Sequence, residues 1–342
     1  MPTPPEVLLD RCLRQTGCPL AGLGYRGKDS LQSLNPIELG KLLEEIQGAT
    51  NEGLNEAEHI PQHVVCPPFH LDYIDCDQTI NAHAFRYEGY SFIAITIPFV
   101  YRLWDMSAGL SRAGVIEMPA DVSLNEEEWR ERLRVTLFRI AFRFVTLHEW
   151  THHVHNHVED GPSPFNEVPE ADEHASLQRQ VLELDADGYA AHHTLKSLYR
   201  YGWAIDSLLC MGAVPQAIQD DVLFSCFVLG TAAIMFPLSA GTRFDGADLY
   251  RDPHPPQASR MQFLLYQANQ WRARHWPTGG VWMTPERFRT LITAVAEVAN
   301  SVCGFAPSAW NDQNQFLVSP EGIAYLNGVE SALNIYWRSL AS

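Results

Sequence analysis

The chain has 342 residues, 46% of them hydrophobic, with 41 acidic against 24 basic side chains and a formal charge of -17. That is enough apolar material for one large domain or two ordinary ones, and the acidic balance opposes binding to nucleic acid phosphates or to an anionic membrane surface. Seven scattered cysteines without a Cys-x-x-Cys pair read as reduced thiols in a cytoplasmic compartment, and the start Met-Pro-Thr-Pro-Pro-Glu offers no basic or apolar run for a secretion signal.

Residues 1–60 read as a peripheral helical region. Asn35-Pro36-Ile37-Glu38 opens a helix whose buried stripe is Leu39, Leu42, Leu43 and Ile46, and Gly48 is expected to end it. From His63 the pattern changes to short β-type runs, Phe69 to Ile74, Ala82 to Tyr87 and Ser91 to Phe99, with Glu88-Gly89 as a turn. These predict a small antiparallel sheet, followed by a helix over Val100 to Leu110.

Ser123-Leu124-Asn125-Glu126 matches a capping box and opens a helix expected to reach about His157, with Trp129, Leu133, Leu137, Ile140 and Phe144 at helical spacing. Glu159 to Asp172 holds three prolines and several acids and reads as an exposed connector or lid. Glu173 to Tyr201 returns to helical spacing. Leu223 to Leu238 is the longest apolar run, 16 residues interrupted by polar residues, Gly230 and Pro237; a buried helix is expected there rather than a membrane hairpin. Residues 258–342 read as three helices, two of them started by Thr284-Pro285 and Ser319-Pro320.

The chemistry concentrates at Thr146 to His157. His148, Glu149 and His152 form a His-Glu-x-x-His pattern, which on a helix puts two imidazoles on one face, within reach of a single cation, with Glu149 beside them. In a chain with 14 histidines the pattern arises by chance in roughly one case in twenty-five, so it needs company. A catalytic zinc takes three protein ligands and keeps one position open. A histidine six residues after His152 is ruled out, because that position is Val158. A glutamate from a separate helix is the other solution, and Glu183 and Asp187 stand four apart on one helical face with small Ala186, Ala190 and Ala191 nearby. Glu183 would ligate and Asp187 would orient a ligand imidazole; the competing possibility is a solvated acidic face.

Taken in order, His148-Glu149-Trp150-Thr151-His152, then Glu183 to Asp187, then His254-Pro255-Pro256-Gln257-Ala258-Ser259-Arg260 resemble the glutamate zincins, above all the HtpX and CAAX prenyl protease family, and more weakly the Lit phage-exclusion peptidases. Upstream, Asn81 and Ala82 with Ile93, Ala94 and Ile95 are similar to the hairpin that precedes the metal helix in that family. The resemblance covers roughly residues 64–265 and implies an α+β, zincin-like fold, mostly helical with its small sheet before the metal-binding helix; the catalytic domain is expected over 61–265, with a C-terminal helical region over 266–342 packed on it. Unlike that family, this chain lacks convincing membrane spans, and its His153, His155 and His157 are extra; His153 and His157 are expected to be solvated, with His155 nearer the cleft.

The expected activity is zinc-dependent endopeptidase hydrolysis of a protein or peptide substrate. One Zn²⁺ per chain would be held by His148, His152 and Glu183, with Glu149 as general base, and the resemblance implies that His254 stabilises the oxyanion. Arg260 is expected to anchor its loop through a carboxylate such as Asp187. The strand with Ile93, Ala94 and Ile95 is expected either as an exposed edge that pairs with substrate or as a core strand. A catalytically silent zincin-fold binding or sensor protein is the alternative, and a histidine-rich metal buffer a further one; Glu149, which is no ligand, argues for catalysis.

Overall fold

The computed structural model describes residues 3–15, 20, 24–27, 31–55, 66–76, 80–158, 173–200, 204, 208–209, 214–238, 249, 252, 254–275 and 283–340. The expected connector Glu159 to Asp172 lies outside them. The chain divides into two compact units, residues 1–101 with 148–167 and residues 102–147 with 168–342.

The first unit is built on a sheet. Helix α1 (Pro5–Arg14) and strand β1 (Arg26–Gly27) precede helix α2 (Ile37–Leu54), and strands β2 (Phe69–Asp75), β3 (Ala82–Tyr87) and β4 (Tyr90–Thr96) follow in the order β1-β2-β4-β3. The sheet is mixed, which corrects the expected antiparallel one: β3 and β4 form a hairpin through Glu88 and Gly89, both at positive φ, but β4 then lies parallel to β2, from Phe69 opposite Ser91 to Ile74 opposite Thr96. The reason is visible in β4 itself, whose residues from Ser91 to Thr96 are buried on both faces and so favour the middle of a sheet. On one side Leu8, Leu9, Cys12 and Leu13 of α1 pack with Ile74, Phe85, Phe92 and Ala94.

Helix α2 runs through Gly48 to Leu54 rather than stopping there. Asn51 and Asn55 explain the extra turns: Asn51 Nδ2 donates to Leu71 O (3.2 Å) and Asn51 Oδ1 accepts from Leu71 N (2.6 Å), while Asn55 pairs with both backbone groups of Phe69. Tertiary bonds to the strand outweigh the glycine.

Helix α3 (Ile97–Arg112) begins as soon as β4 ends, with Pro98 in its first turn, where a missing N–H is harmless. Helix α4 (Glu126–Val154) is capped one position pair later than expected: Asn125 Oδ1 accepts from Glu128 N (2.9 Å) and the Glu128 carboxylate accepts from Asn125 N (3.2 Å).

The second unit is helical. It contains most of α3 and α4 and then α5 (Glu173–Arg200), α6 (Gln216–Leu238), α7 (Gln257–His275), α8 (Pro285–Cys303), α9 (Pro307–Leu317) and α10 (Pro320–Leu340). Among the described residues four helices run from Gln257 onward where three were expected, because Gly304 at φ 69° caps α8 and Pro307 starts the short α9. Helix α6 is long and apolar enough to cross a membrane, yet 89% of its most apolar stretch is buried within the protein. Gly230 lets it lie against α4, since a Cβ there would sit 2.7 Å from Ile140 Cγ2. Helix α5 packs on α7 and α10. The outcome is an α+β protein, mostly helical with a four-stranded mixed sheet among the described residues.

Candidate metal centre

His148, Glu149 and His152 occupy the last turns of α4, in the part that belongs to the first unit. All three are buried. The imidazoles of His148 and His152 face each other with Nε2 atoms 3.1 Å apart. Two nitrogens bound about 2.1 Å from one tetrahedral ion would be separated by about 3.4 Å, so the pair is already spaced for a shared cation.

The other nitrogen of His152 is also engaged. Its Nδ1 lies 2.9 Å from Nδ1 of His157, which is half-buried. Asn156 adopts φ 58°, a conformation Asn tolerates better than most residues, and so turns the chain back until His157 N donates to His152 O at 2.8 Å. A hydrogen bond at Nδ1 fixes the ring and leaves Nε2 for a metal.

His153 is fully buried, the reverse of the solvated position expected for it. Its Nε2 donates to Phe92 O on β4 at 2.9 Å, while Arg86 of β3 donates to His153 O and Asn156 Oδ1, both at 3.3 Å. Burial pushes the His153 pKa down to about 4, against the opposing effect of that carbonyl. The end of α4 is thereby fastened to the sheet by backbone groups that a sequence pattern cannot display.

Asn81, Ala82, Ile93, Ala94 and Ile95 do not form one edge. Ile93, Ala94 and Ile95 lie in β4, which is paired on both sides by β2 and β3 and has no free backbone rim for a substrate strand. This settles the choice for the core strand. Ala82 begins β3, the outer strand of the sheet, and Asn81 precedes it, its N–H donating to Thr96 Oγ1 at 3.0 Å.

Within the second unit, Glu183, Asp187 and Arg260 are buried together. Arg260 donates from Nε and Nη2 to the two carboxylate oxygens of Asp187, both at 2.7 Å, a bidentate pair. The same Nη2 stands 3.7 Å from Glu183 Oε2, and His254 Nδ1 lies 3.1 Å from that oxygen. Loss of hydration opposes a charged His254, but the Glu183 carboxylate prevails and raises its pKa. Asp187 thus serves Arg260, the partner expected for that guanidinium.

The segment bearing His254 is held by residues the sequence did not single out. Gln180 Nε2 donates to Leu249 O and Asp252 O, both at 2.7 Å, and Ser176 Oγ to Asp252 O at 2.9 Å. Tyr325 in turn donates to Gln180 Oε1 at 2.7 Å. Gln180, Glu183 and Asp187 recur at helical spacing as a buried polar stripe, a signal available in the sequence once the helix face is known. Asp185, between them, accepts from Trp337 Nε1 at 2.6 Å.

His148 and His152 in the first unit and Glu183 in the second are the three side chains expected as ligands, and each is buried. Two imidazoles and one carboxylate are a donor set that suits zinc with an open position.

The family model of Peptidase U49 matches residues 111–276, a stretch that contains every one of these side chains from His148 to Arg260. The match supports a peptidase, hence a hydrolase acting on protein or peptide substrates. Curated proteins and solved structures give no match.

Proposed function

We propose that the chain is a zinc-dependent endopeptidase with one zinc ion held by His148, His152 and Glu183. The observation that carries this reading is the pair of facing Nε2 atoms, 3.1 Å apart, beside a buried glutamate that is not needed as a ligand. The finer resemblance to the glutamate zincins rests on the same residues. When bound, such a metal acidifies a water and polarises the scissile carbonyl.

Glu149 then takes the water proton on its carboxylate and returns it to the leaving amine, so one group serves as base and acid in turn. His254 would donate from its ring to the oxygen on which charge develops, and Glu183, 3.1 Å from Nδ1, keeps that ring protonated and aimed. Arg260, neutralised by Asp187, holds α7 to α5 and so fixes where His254 stands relative to Glu183. Free thiols at Cys66, Cys226 and Cys303 suit the cytoplasm we propose for it.

The test compares wild type with Glu149→Gln on a proteome-derived peptide mixture, with bound zinc measured in both. Equal zinc and loss of cleavage in the variant are expected; identical peptide profiles would show that hydrolysis does not use this site.

A further inference from the structure

A second cluster of titratable groups lies on a different face of α5. Glu183 and His192 are nine residues apart, which at ~100° per residue places them about half a turn out of phase. There, in the second unit, Gly188 and His192 of α5 and Gln267, Gln270, Trp271, Arg274 and His275 of α7 line a cavity of about 40 Å³.

Its charge is one-sided. His192, Arg274 and His275 line it and, among the described residues, no carboxylate does, although the chain carries 41 acids against 24 bases. Lys196, one turn beyond His192, adds a further cation: burial lowers the His192 pKa, and the positive charges of His275, Lys196 and Arg274 lower it further. Among the described residues neither Arg274 nor Lys196 forms an ion pair. With its pKa lowered, His192 is disfavoured as a cation and offers a neutral ring N–H beside the cationic Arg274 at this exposed site.

One of the rings is held in place. The His275 ring stacks on Trp271 at 4.4 Å, and its Nδ1–H donates to Trp271 O at 2.7 Å, which leaves Nε2 as the ring's remaining polar atom. The His192 and His275 ring centroids are 6.3 Å apart. Two glutamine amides supply neutral donors, and Gly188 contributes no side chain to fill the space.

We propose that this cavity binds a small oxyanion, a phosphate or a carboxylate, between His192, Arg274 and His275. Its occupant ties the later turns of α5 and α7 together, beyond the Arg260–Asp187 pair that joins their earlier turns. The site needs neither the metal nor Glu149, so it stands or falls independently of the proposed hydrolysis.

The experiment follows thermal unfolding and calorimetric binding of the full chain with inorganic phosphate, with acetate and with chloride at matched ionic strength. Wild type is expected to show a saturable rise in Tm with phosphate or acetate and none with chloride, and whichever of the two acts at lower concentration identifies the source. Arg274→Gln and His192→Gln should each weaken that binding about tenfold or more, while Arg289→Gln, at a remote exposed arginine, should not. Unfolding in chloride alone reports whether each variant folds. No response in wild type beyond chloride, or an equal response in folded Arg274→Gln and His192→Gln, would overturn the site.

Discussion

At His152 the decisive contact is the one that faces away from the proposed ion. The 2.9 Å contact with His157 decides which imidazole nitrogen is left for a metal, and ligand-orienting partners of this kind are worth roughly ten- to a hundredfold in metal affinity. His157→Ala should therefore weaken zinc binding by about that factor in a chelator competition, with the fold intact; unchanged affinity would show that the contact orients nothing. The Arg260–Asp187 pair makes a second prediction. Asp187→Asn leaves a guanidinium that is 6% exposed without its bidentate partner, and breaking a buried pair from one side costs about 3 kcal/mol or more. Denaturant unfolding should show that loss, and a double variant Asp187→Leu, Arg260→Met should recover much of it. At this scale the His-Glu-x-x-His pattern and the spacing of Glu183 and Asp187 were legible in the sequence, whereas Arg260 came from the resemblance alone; the structure pairs Arg260 with Asp187. The sequence suggested a solvated His157 and was silent about Arg86 and Gln180, because the roles of all three depend on a left-handed Asn156 and on backbone carbonyls that come near only in the folded chain.

Among the elements, α4 and the sheet show where pattern reading succeeds and where it stops. The apolar stripe of α4 and the hairpin turn at Glu88-Gly89 are local properties and were legible. Strand order is not local: β4 is buried on both faces, and only pairing with β2 reveals that it runs parallel in the middle of the sheet. The same holds for α2, where Asn51 and Asn55 overrule Gly48 through bonds to β2. Close packing of α6 on α4 at Gly230 predicts that Gly230→Ala destabilises by about 1–3 kcal/mol, and that Ile140→Ala in the same chain relieves part of the strain. Equilibrium unfolding of the two variants checks this, and an additive loss would contradict it. His153 sets a pH dependence for the end of α4. Its folded pKa, about 4, lies below the unfolded value near 6.5, so the folded form favours the neutral ring. That contribution is complete above pH ~6.5 and is lost as the pH falls toward about 4, amounting to on the order of 2 kcal/mol by pH ~4.5. His153→Gln should flatten the stability profile across that window in denaturant titrations; an unchanged slope would exclude His153 as its source.

Over the whole molecule, the family match supports a peptidase, and the proposed zinc chemistry rests on His148, Glu149, His152 and Glu183. The formal charge of -17 opposes binding to nucleic acid phosphates, which was the expectation from composition. What residue spacing alone could not decide was whether a motif expected by chance in roughly one chain in twenty-five marks a site; burial of all its members, including a glutamate with no ligand's task, is what a surface histidine helix would not have. The central claim is therefore tested at Glu149. Wild type and Glu149→Gln, each loaded with zinc and each assayed for bound metal, are incubated with the same peptide mixture. The expected result is one zinc per chain in both and a fall in cleavage of at least a hundredfold, roughly, in the variant; equal cleavage at equal zinc would contradict a peptidase working through this centre.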